Sequence, residues 1–119
     1  MKTKEIADRL VLLCREAKWE TAQKELYADD IVSTEPEASQ APVKVTKGLP
    51  AILEKGRQFG AMIETMHALS VSDPLVANNS FACTMSLDVT MKGQGRMNMS
   101  ELCVYQVKDG KIVSEQFHM

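Results

Sequence analysis

The chain has 119 residues, 14 Lys+Arg against 16 Asp+Glu, and a formal net charge of −2, which indicates one domain with room for a hydrophobic core. The charges are scattered, which excludes the broad basic face of a nucleic-acid-binding protein. Asp8, Arg9, Arg15 and Glu16 interrupt the N-terminal segment, so neither a signal peptide nor a membrane span is predicted. The three cysteines lack C-x-x-C spacing, and no disulfide framework or zinc site is predicted. We therefore expect a cytoplasmic protein with reduced thiols and no nucleic-acid or membrane partner.

The first part of the chain has helical periodicity. Apolar residues recur at helical spacing over residues 6–17, which predicts a first helix. A second, shorter helix is predicted over residues 19–27, and the pair Asp29-Asp30 is expected to end it. Residues 31–35 are then predicted to form a short strand, and residues 36–42 a loop.

A third helix is predicted after a short strand around Val43 and Val45. Gly48 breaks the chain, and Pro50 stands where a helix favours proline in its first turn. We expect His67 to flank the end of this helix. Its predicted apolar face consists of Ile52, Gly56, Phe59, Ile63 and Met66.

From residue 67 onward the apolar period is two, which indicates strands. One strand face is predicted to carry Phe81, Cys83, Met85, Leu87, Val89 and Met91. After a turn at Gly93 the alternation continues to Val107, and a turn at Asp109-Gly110 leads to a last strand. Three consecutive hairpins predict an antiparallel sheet, and helices followed by strands predict an α+β fold with the helices packed on one sheet face.

Glu101 is the only charged residue in an otherwise apolar alternating series, Met97-Met99-Glu101-Cys103-Tyr105-Val107. A carboxyl in apolar surroundings has a raised pKa, because burial disfavours the charged form. Such a group can donate a hydrogen bond as a neutral acid. The alternatives are a structural pairing with a buried cation or tyrosine hydroxyl, and a position at a sheet edge that faces water.

Glu35 has the same strand parity as Ile31 and Ser33, which predicts that it faces the interior with them. There it would serve as a proton-transferring base, with Glu101 as the acid. The alternative is a solvated acid in a turn with Glu37.

The methionines of the apolar sheet face predict either a deformable core or a pocket that adapts to a flat, apolar ligand. His118 either faces that pocket or lies at a frayed C-terminus, and Tyr27 either packs at a helix end or donates a hydrogen bond to a ligand. No metal-binding signature is present in the sequence. The further residues predicted to line the pocket are Val11, Phe59, Met62, Met85, Met99 and Tyr105.

The order of elements, the segment Tyr27-Ala-Asp-Asp, Gly48 and the segment Asp109-Gly110-Lys111-Ile112 resemble the nuclear-transport-factor-2-like superfamily over nearly the whole chain. That superfamily includes the SnoaL-like polyketide cyclases and the ketosteroid isomerases. The resemblance implies one SnoaL-like domain over residues 1–119. It also implies a cystatin-like α+β fold in which a cone-shaped, strongly curved, mostly antiparallel sheet carries three N-terminal helices on its concave face.

The resemblance also implies a catalytic site. Glu35, just before Pro36, stands at the position of the general base in isomerase-like members, and Glu101 stands near that of a second acid. The oxyanion tyrosine of those enzymes would fall near Val11, which cannot donate a hydrogen bond, so the isomerase triad is incomplete. The implied activity is cofactor-independent isomerisation or cyclisation of a small apolar compound, and the alternative is a non-catalytic binding or association module.

The resemblance further implies a homodimer that associates through the outer sheet face. On the predicted register that face is half polar. It would carry Thr84, Ser86, Asp88, Thr90, Asn98, Ser100, Leu102 and Val104.

Overall fold

A computed structural model describes residues 1–39, 41 and 43–119 of the chain. The predicted loop over residues 36–42 therefore includes two residues, Gln40 and Pro42, that lie outside the described part. The helices are α1 (Thr3–Arg15), α2 (Trp19–Leu26) and α3 (Leu49–Met62). The strands are β1 (Tyr27–Thr34), β2 (Val45–Lys47), β3 (Ile63–Val71), β4 (Leu75–Ala77), β5 (Ser80–Met91), β6 (Gly95–Lys108) and β7 (Lys111–His118).

The strands form one sheet in the order β2-β1-β7-β6-β5-β3, with β4 also paired to β5. Neighbouring strands are antiparallel except β1 and β7, which are parallel. All three helices pack on one face of this open, curved sheet, since α1 contacts β3, β4 and β5 while α2 and α3 contact β1. The α+β fold with a mostly antiparallel, cone-like sheet is confirmed. None of the helices described is long and apolar enough to span a membrane.

Helix α1 covers the deep end of the concave face. Its apolar stripe, including Ile6, Leu10 and Cys14, is buried. The helix begins where the Glu5 carboxylate accepts a hydrogen bond from the Lys2 backbone N–H at 3.0 Å, which satisfies one of the free donors of the first turn. Near its end, the Arg15 guanidinium donates to the Val71 carbonyl oxygen at 2.9 and 3.0 Å and so fixes α1 to β3.

Strand β1 begins earlier than its sequence predicts. Asp29 and Asp30 lie inside the strand and do not end α2, which stops at Leu26. The pairing of β1 with β7 is irregular between Tyr27 and Val32, and both aspartates are exposed there. An irregular strand can turn acidic side chains to water without interrupting the sheet.

The predicted third helix was too long, because α3 ends at Met62. Ile63 and Met66 belong to β3, and so does His67, which does not flank the helix but lies exposed with its Nε2 atom 2.7 Å from the Thr90 hydroxyl oxygen. Two register shifts in the pairing of β3 with β5 place Ile63, Met66 and Leu69 towards the core at intervals of three residues. That interval imitates a helical repeat in the sequence.

The two long hairpin strands follow the predicted alternation. Cys83 lies opposite Cys103, and Met85 lies opposite Glu101. The predicted inward residues of β5 are buried or half-buried, whereas Thr84 on the other face is exposed. The β6–β7 turn places Asp109 and Gly110 at φ 53° and 77°, the left-handed backbone that a two-residue hairpin turn requires.

The concave face has two hydrophobic regions. The deep core, under α1 and α2, contains fully buried side chains such as Ile6, Leu10 and Phe81. The mouth is built on Leu87, Val89 and Met91 of β5, with partly buried apolar side chains packed against them. Those partly buried side chains are Trp19, Ile63, Met66, Leu69, Met97 and Met99.

Candidate functional site

The strand register arranges the inward side chains of the sheet in rows. The deepest polar row crosses β1, β7, β6 and β5 through Ser33, Glu115, Tyr105 and Phe81. The Phe81 and Tyr105 rings are stacked, with centroids 4.7 Å apart and planes at 19°. This row therefore places a buried carboxyl between a serine hydroxyl and an aromatic pair.

The next row towards the mouth contains the paired thiols. Cys103 has Cys83 opposite on β5 and Phe117 opposite on β7. All three cysteines of the chain, Cys14 included, are free and buried, and burial raises the pKa of the Cys14 thiol to about 12. The neighbouring thiols predicted at Cys83 and Cys103 are confirmed.

Glu35 lies directly after β1, two residues beyond the buried Ser33, and its side chain is 18% exposed. Its backbone N–H donates to the Lys44 carbonyl oxygen at 2.7 Å, which fixes the chain as it leaves the strand. Its Oε1 atom accepts a hydrogen bond from Lys55 Nζ on α3 at 2.8 Å. Glu35 is therefore a partly buried carboxylate ion-paired to the helix above it, and not a solvated acid.

Glu101 lies on the inner face of β6, half-buried, opposite Met85 and two residues from Met99. Burial, followed by the negative charges of Glu35 and Glu115, raises the pKa of the Glu101 carboxyl to about 7. The positive charge of Lys55 lowers the pKa of the Glu101 carboxyl and so opposes that shift. A larger fraction of the Glu101 carboxyl therefore retains its proton near neutral pH than of an ordinary glutamate, and the group lies within electrostatic range of Glu35.

Glu115, which was not identified from the sequence, is a third carboxyl of the same cluster and only 3% exposed. It accepts a hydrogen bond from the buried Tyr27 hydroxyl. Burial raises its pKa, and the Tyr27 and Ser33 hydroxyls and Lys55 oppose that shift. The Ser33 hydroxyl lies close enough to act on the carboxyl, yet it makes no well-formed hydrogen bond among the residues described.

A bulge in β7 explains why Glu115 was missed. Gln106 pairs with Ser114 and Val107 pairs with Ile112, so Val113 is an extra residue in the strand. Strict alternation from Ile112 would turn residues 114, 116 and 118 inwards, but the extra residue turns 115 and 117 inwards instead. The one signal in the sequence is an aromatic residue, Phe117, that shares the parity of Glu115.

His118 does not join the cluster, which corrects its assignment to the pocket. The same bulge places it opposite Leu102 on the outer face, where both side chains are exposed. Val11 and Tyr105 are buried in the deep core, as is Tyr27.

Helix α3 forms a bridge over the mouth. It follows β2 and runs directly into β3, and these two strands are the edges of the sheet order. Its 14 residues span about 21 Å at 1.5 Å per residue, and its last carbonyl, at Met62, accepts a hydrogen bond from the Lys92 N–H at 2.8 Å. Ile52, Lys55 and Phe59 follow at helical spacing on one face.

The side chains of Phe59 and Met62 are each 39% exposed, so the C-terminal half of α3 leaves apolar surface open beside the mouth. Met85 and Met99, on the sheet below, are only partly buried.

Two surface depressions among the described residues are lined by none of the three carboxyls. One, of about 610 Å³, lies between the start of α1 and the β6–β7 turn. The other, of about 320 Å³, lies between α2 and α3 and includes Trp19 and Arg57. Among the residues described, no group of three or more His, Cys, Asp or Glu side chains is arranged to hold a metal ion.

Comparison with known proteins identifies relatives of this fold. The chain matches the SnoaL-like domain family over residues 1–119. A candidate SnoaL-like polyketide cyclase from Mesorhizobium loti is 35% identical, with a TM-score of 0.92 and 100% of both chains covered. A protein with a ketosteroid isomerase-like fold from Catenulispora acidiphila, solved with trimethylamine, is 17% identical, with a TM-score of 0.74 over 98% of this chain and 86% of that one. A cystatin-like protein from Xanthomonas campestris is 18% identical, with a TM-score of 0.74 over 98% and 89% of the two chains. No curated protein gives a significant match.

Proposed function

The chain belongs to the SnoaL-like domain family, and we propose that it is a cofactor-independent isomerase or cyclase that acts on a small, apolar carbonyl compound. The reaction is a proton transfer at the mouth of the cone. Glu35 removes a proton from the carbon next to the carbonyl group, and Glu101 donates a hydrogen bond to the carbonyl oxygen.

The observation that carries this proposal is the contrast between the two carboxyls. Glu101 has a pKa of about 7 because it is buried beside other negative charges, whereas Glu35 is ion-paired with Lys55 at 2.8 Å. Two carboxyls in environments that differ in this way can act as acid and base at the same pH.

The charges balance through the proposed step. The C–H bond of the substrate breaks, its proton passes to a Glu35 oxygen, and the electron pair moves onto the carbonyl oxygen as an enolate. The Lys55 ammonium then loses its carboxylate partner and stabilises the enolate, together with the Glu101 hydrogen bond. Glu35 returns the proton to a different carbon of the enolate, or the enolate carbon attacks a second carbonyl of the same molecule to close a ring. In the second case the C=O π electrons form an alkoxide, which takes the proton back from Glu35.

An apolar substrate fits the surroundings of these groups. Met85 and Met99 flank Glu101 on the sheet, and Phe59 and Met62 leave apolar surface exposed on α3. Methionine side chains adapt to ligands of irregular shape. The mouth would therefore bind the hydrocarbon part of the substrate, while Glu35, Glu101 and Lys55 act on its carbonyl group and the neighbouring C–H bond.

Replacing the base tests the proposal most directly. In D₂O, ¹H NMR should show that the protein catalyses deuterium exchange at the acidic carbon of an apolar 1,3-diketone. We expect Glu35→Gln to slow this exchange by about 10²–10⁴-fold, because a positioned general base typically contributes that much.

Glu37→Gln is the matched control, since Glu37 is an exposed carboxylate two residues away and its loss should leave the exchange rate unchanged. An exchange rate that is equal in the wild type and in Glu35→Gln would contradict the assignment of Glu35 as the base.

The second candidate function is a non-catalytic binding or association module. It is favoured by the finding that neither surface depression is lined by the carboxyls. A binding module would shift the Met85 and Met99 methyl signals on addition of the diketone without catalysing exchange, and an association module would show neither effect.

We also propose that the protein forms a homodimer through the outer sheet face. Leu102 is 42% exposed there, next to the half-buried Val104. Light scattering at micromolar concentration should give the mass of a dimer, and Leu102→Lys should lower it to that of a monomer. Leu12→Lys is the control, because Leu12 is 50% exposed on α1, which packs on the opposite face of the sheet.

A further inference from the structure

Cys83 and Cys103 stand directly opposite one another on β5 and β6, on the inner face of the sheet. They are only 4% and 1% exposed, and neither residue takes part in the proposed proton transfer. On one side the pair adjoins the stacked aromatic rings, and on the other side it adjoins the half-buried row that contains Glu101. The two thiols therefore form the last row before the mouth in which the residues of both strands are buried.

The strand register holds the two thiols at a separation that a disulfide can span. Pairing of β5 with β6 runs from Ser80 to Met91 without a register shift, so the two cysteines are held opposite each other. Opposite Cα atoms in an antiparallel pair are about 4.5–5.5 Å apart, and the Cα atoms of a disulfide are usually about 4.4–6.8 Å apart. Opposite Cβ atoms are about 4.5–5.5 Å apart and those of a disulfide about 3.5–4.5 Å, so closure draws the side chains together by roughly 1 Å.

The two thiols differ in their electrostatic surroundings. The Cys103 thiol, as a hydrogen-bond partner, and the positive charge of Arg15 lower the pKa of Cys83, while burial opposes them. The Arg15 guanidinium is fixed in place by its hydrogen bonds to the Val71 carbonyl oxygen. The same interaction between the thiols, together with burial, raises the pKa of Cys103. Because the thiolate is the nucleophilic form of cysteine, Cys83 is the thiol that reacts first.

The burial of the pair limits which oxidants can reach it. Met85 and Glu101, in the next row, are only half-buried, so the shortest path from solvent to the thiols runs through the mouth. Hydrogen peroxide is uncharged and little larger than water, and it suits this path better than a charged disulfide of peptide size.

We propose that Cys83 and Cys103 form a redox modification site, which a small hydroperoxide such as hydrogen peroxide closes to a cross-strand disulfide. The Cys83 thiolate attacks one peroxide oxygen, the O–O bond breaks, and the departing hydroxide takes a proton to become water, which leaves a sulfenic acid on Cys83. The Cys103 sulfur then attacks the Cys83 sulfur, the S–O bond breaks, and the departing hydroxide leaves as water with the Cys103 proton. Overall, each sulfur loses one electron and each peroxide oxygen gains one, so two thiols and one peroxide give one disulfide and two waters.

The test is oxidation of the folded protein with hydrogen peroxide, followed by alkylation of the remaining thiols in denaturant and mass spectrometry of the intact chain and its peptides. The number of alkylated cysteines should fall from three to one, with Cys14 still alkylated, and a dithiol reductant should restore all three. Cys14→Ala is the matched control, because Cys14 is buried on α1, outside the β5–β6 pairing, and this variant should form the bridge at the wild-type rate. Cys83→Ala and Cys103→Ala should form no bridge within the chain.

The cysteines found in the linked peptides decide the outcome. Peroxide treatment that leaves three alkylated cysteines would overturn the proposal, and so would a sulfinic acid on Cys83 with Cys103 still alkylated. A bridge that involves Cys14, or one that joins two chains, would also overturn it. In urea, where the register is lost, the bridges should be mixed among the three cysteines. If circular dichroism shows that an alanine variant at Cys83 or Cys103 is unfolded, the peptides of the wild type and of Cys14→Ala still identify the linked pair.

The pair contains none of the residues of the proposed proton transfer, so the two proposals can fail separately. A disulfide between Cys83 and Cys103 supports the modification site even if Glu35→Gln leaves the diketone exchange rate unchanged. Loss of exchange in Glu35→Gln likewise supports the proposed function even if no bridge forms.

Discussion

The deep core and the mouth share the same two long strands, β5 and β6, yet they are packed differently. In the deep core, which lies under two helices, side chains such as Phe81 and Ile112 are at most 2% exposed. In the mouth, Met97 and Met99 remain partly exposed, and the helical side chain packed against the apolar cluster in the described residues is Trp19 of α2. The difference teaches that one sheet can supply stability at one end and an adaptable surface at the other.

The three carboxyls lie at the boundary between these two regions. Glu115 is on the buried side, where its pKa is raised mainly by burial, and Glu101 is on the side that solvent reaches. At a boundary of this kind, apolar packing can raise the pKa of a carboxyl that a ligand can still reach.

The largest expected effect is on packing. Phe81→Ala should lower the free energy of unfolding by about 3–5 kcal/mol, because it opens a cavity in the deep core. Met99→Ala, the matched truncation in the mouth, should cost about 1 kcal/mol or less, since its side chain is already partly in water. Urea unfolding curves measure both values, and equal losses would show that the two regions do not differ in packing.

A smaller effect should appear in the pH dependence of stability. The pKa of Glu101 is about 7 in the folded chain against an ordinary value of 4.5, so between these values the folded state holds a proton that the unfolded chain has lost. The free energy of unfolding should therefore fall as pH rises from 4.5 to 7. We expect a fall on the order of 1–2 kcal/mol, because solvent screens this partly exposed group.

Thermal unfolding at several pH values measures that fall, with Glu101→Gln as the comparison. The variant should have a flatter profile over the same range, and an unaltered profile would place the titrating group elsewhere.

The smallest expected effect is in the helix over the mouth. A Cβ added at Gly60 would have no heavy atom within 4 Å, so close packing does not account for this glycine. Gly60→Ala should stabilise the protein by about 0.5–1 kcal/mol, because alanine loses less backbone entropy in a helix. Gly93→Ala should instead destabilise it, since Gly93 has φ +75°. If Gly60→Ala is destabilising, the space around residue 60 is not open to a methyl group.

Sequence periodicity predicted β5 and β6 well because their strict alternation is uninterrupted, and a single tight turn sets their register. It failed where bulges break the alternation. In β3, two bulges place Ile63 and Met66 on the core side at a spacing typical of a helix. In β7, one extra residue turns Glu115 inwards and the predicted pocket residue His118 outwards. Glu35 and Glu101 could be found because each follows an unbroken pattern. The ion pair with Lys55 depends on the path of α3 across the sheet, which no local pattern encodes.

The bulge at Val113 has a consequence for how such a site can change over generations. Deleting that one codon would leave Glu115 facing inwards, because Ile112 and Glu115 would then stand two positions apart, as strict alternation requires. Straightening the bulge without losing the residue would instead turn the rest of the strand by half a turn and replace the buried acid with Ser114 or Gln116. Lineages sharing this scaffold could thus lose or gain an acidic interior through the shape of one strand, with the glutamate codon unchanged.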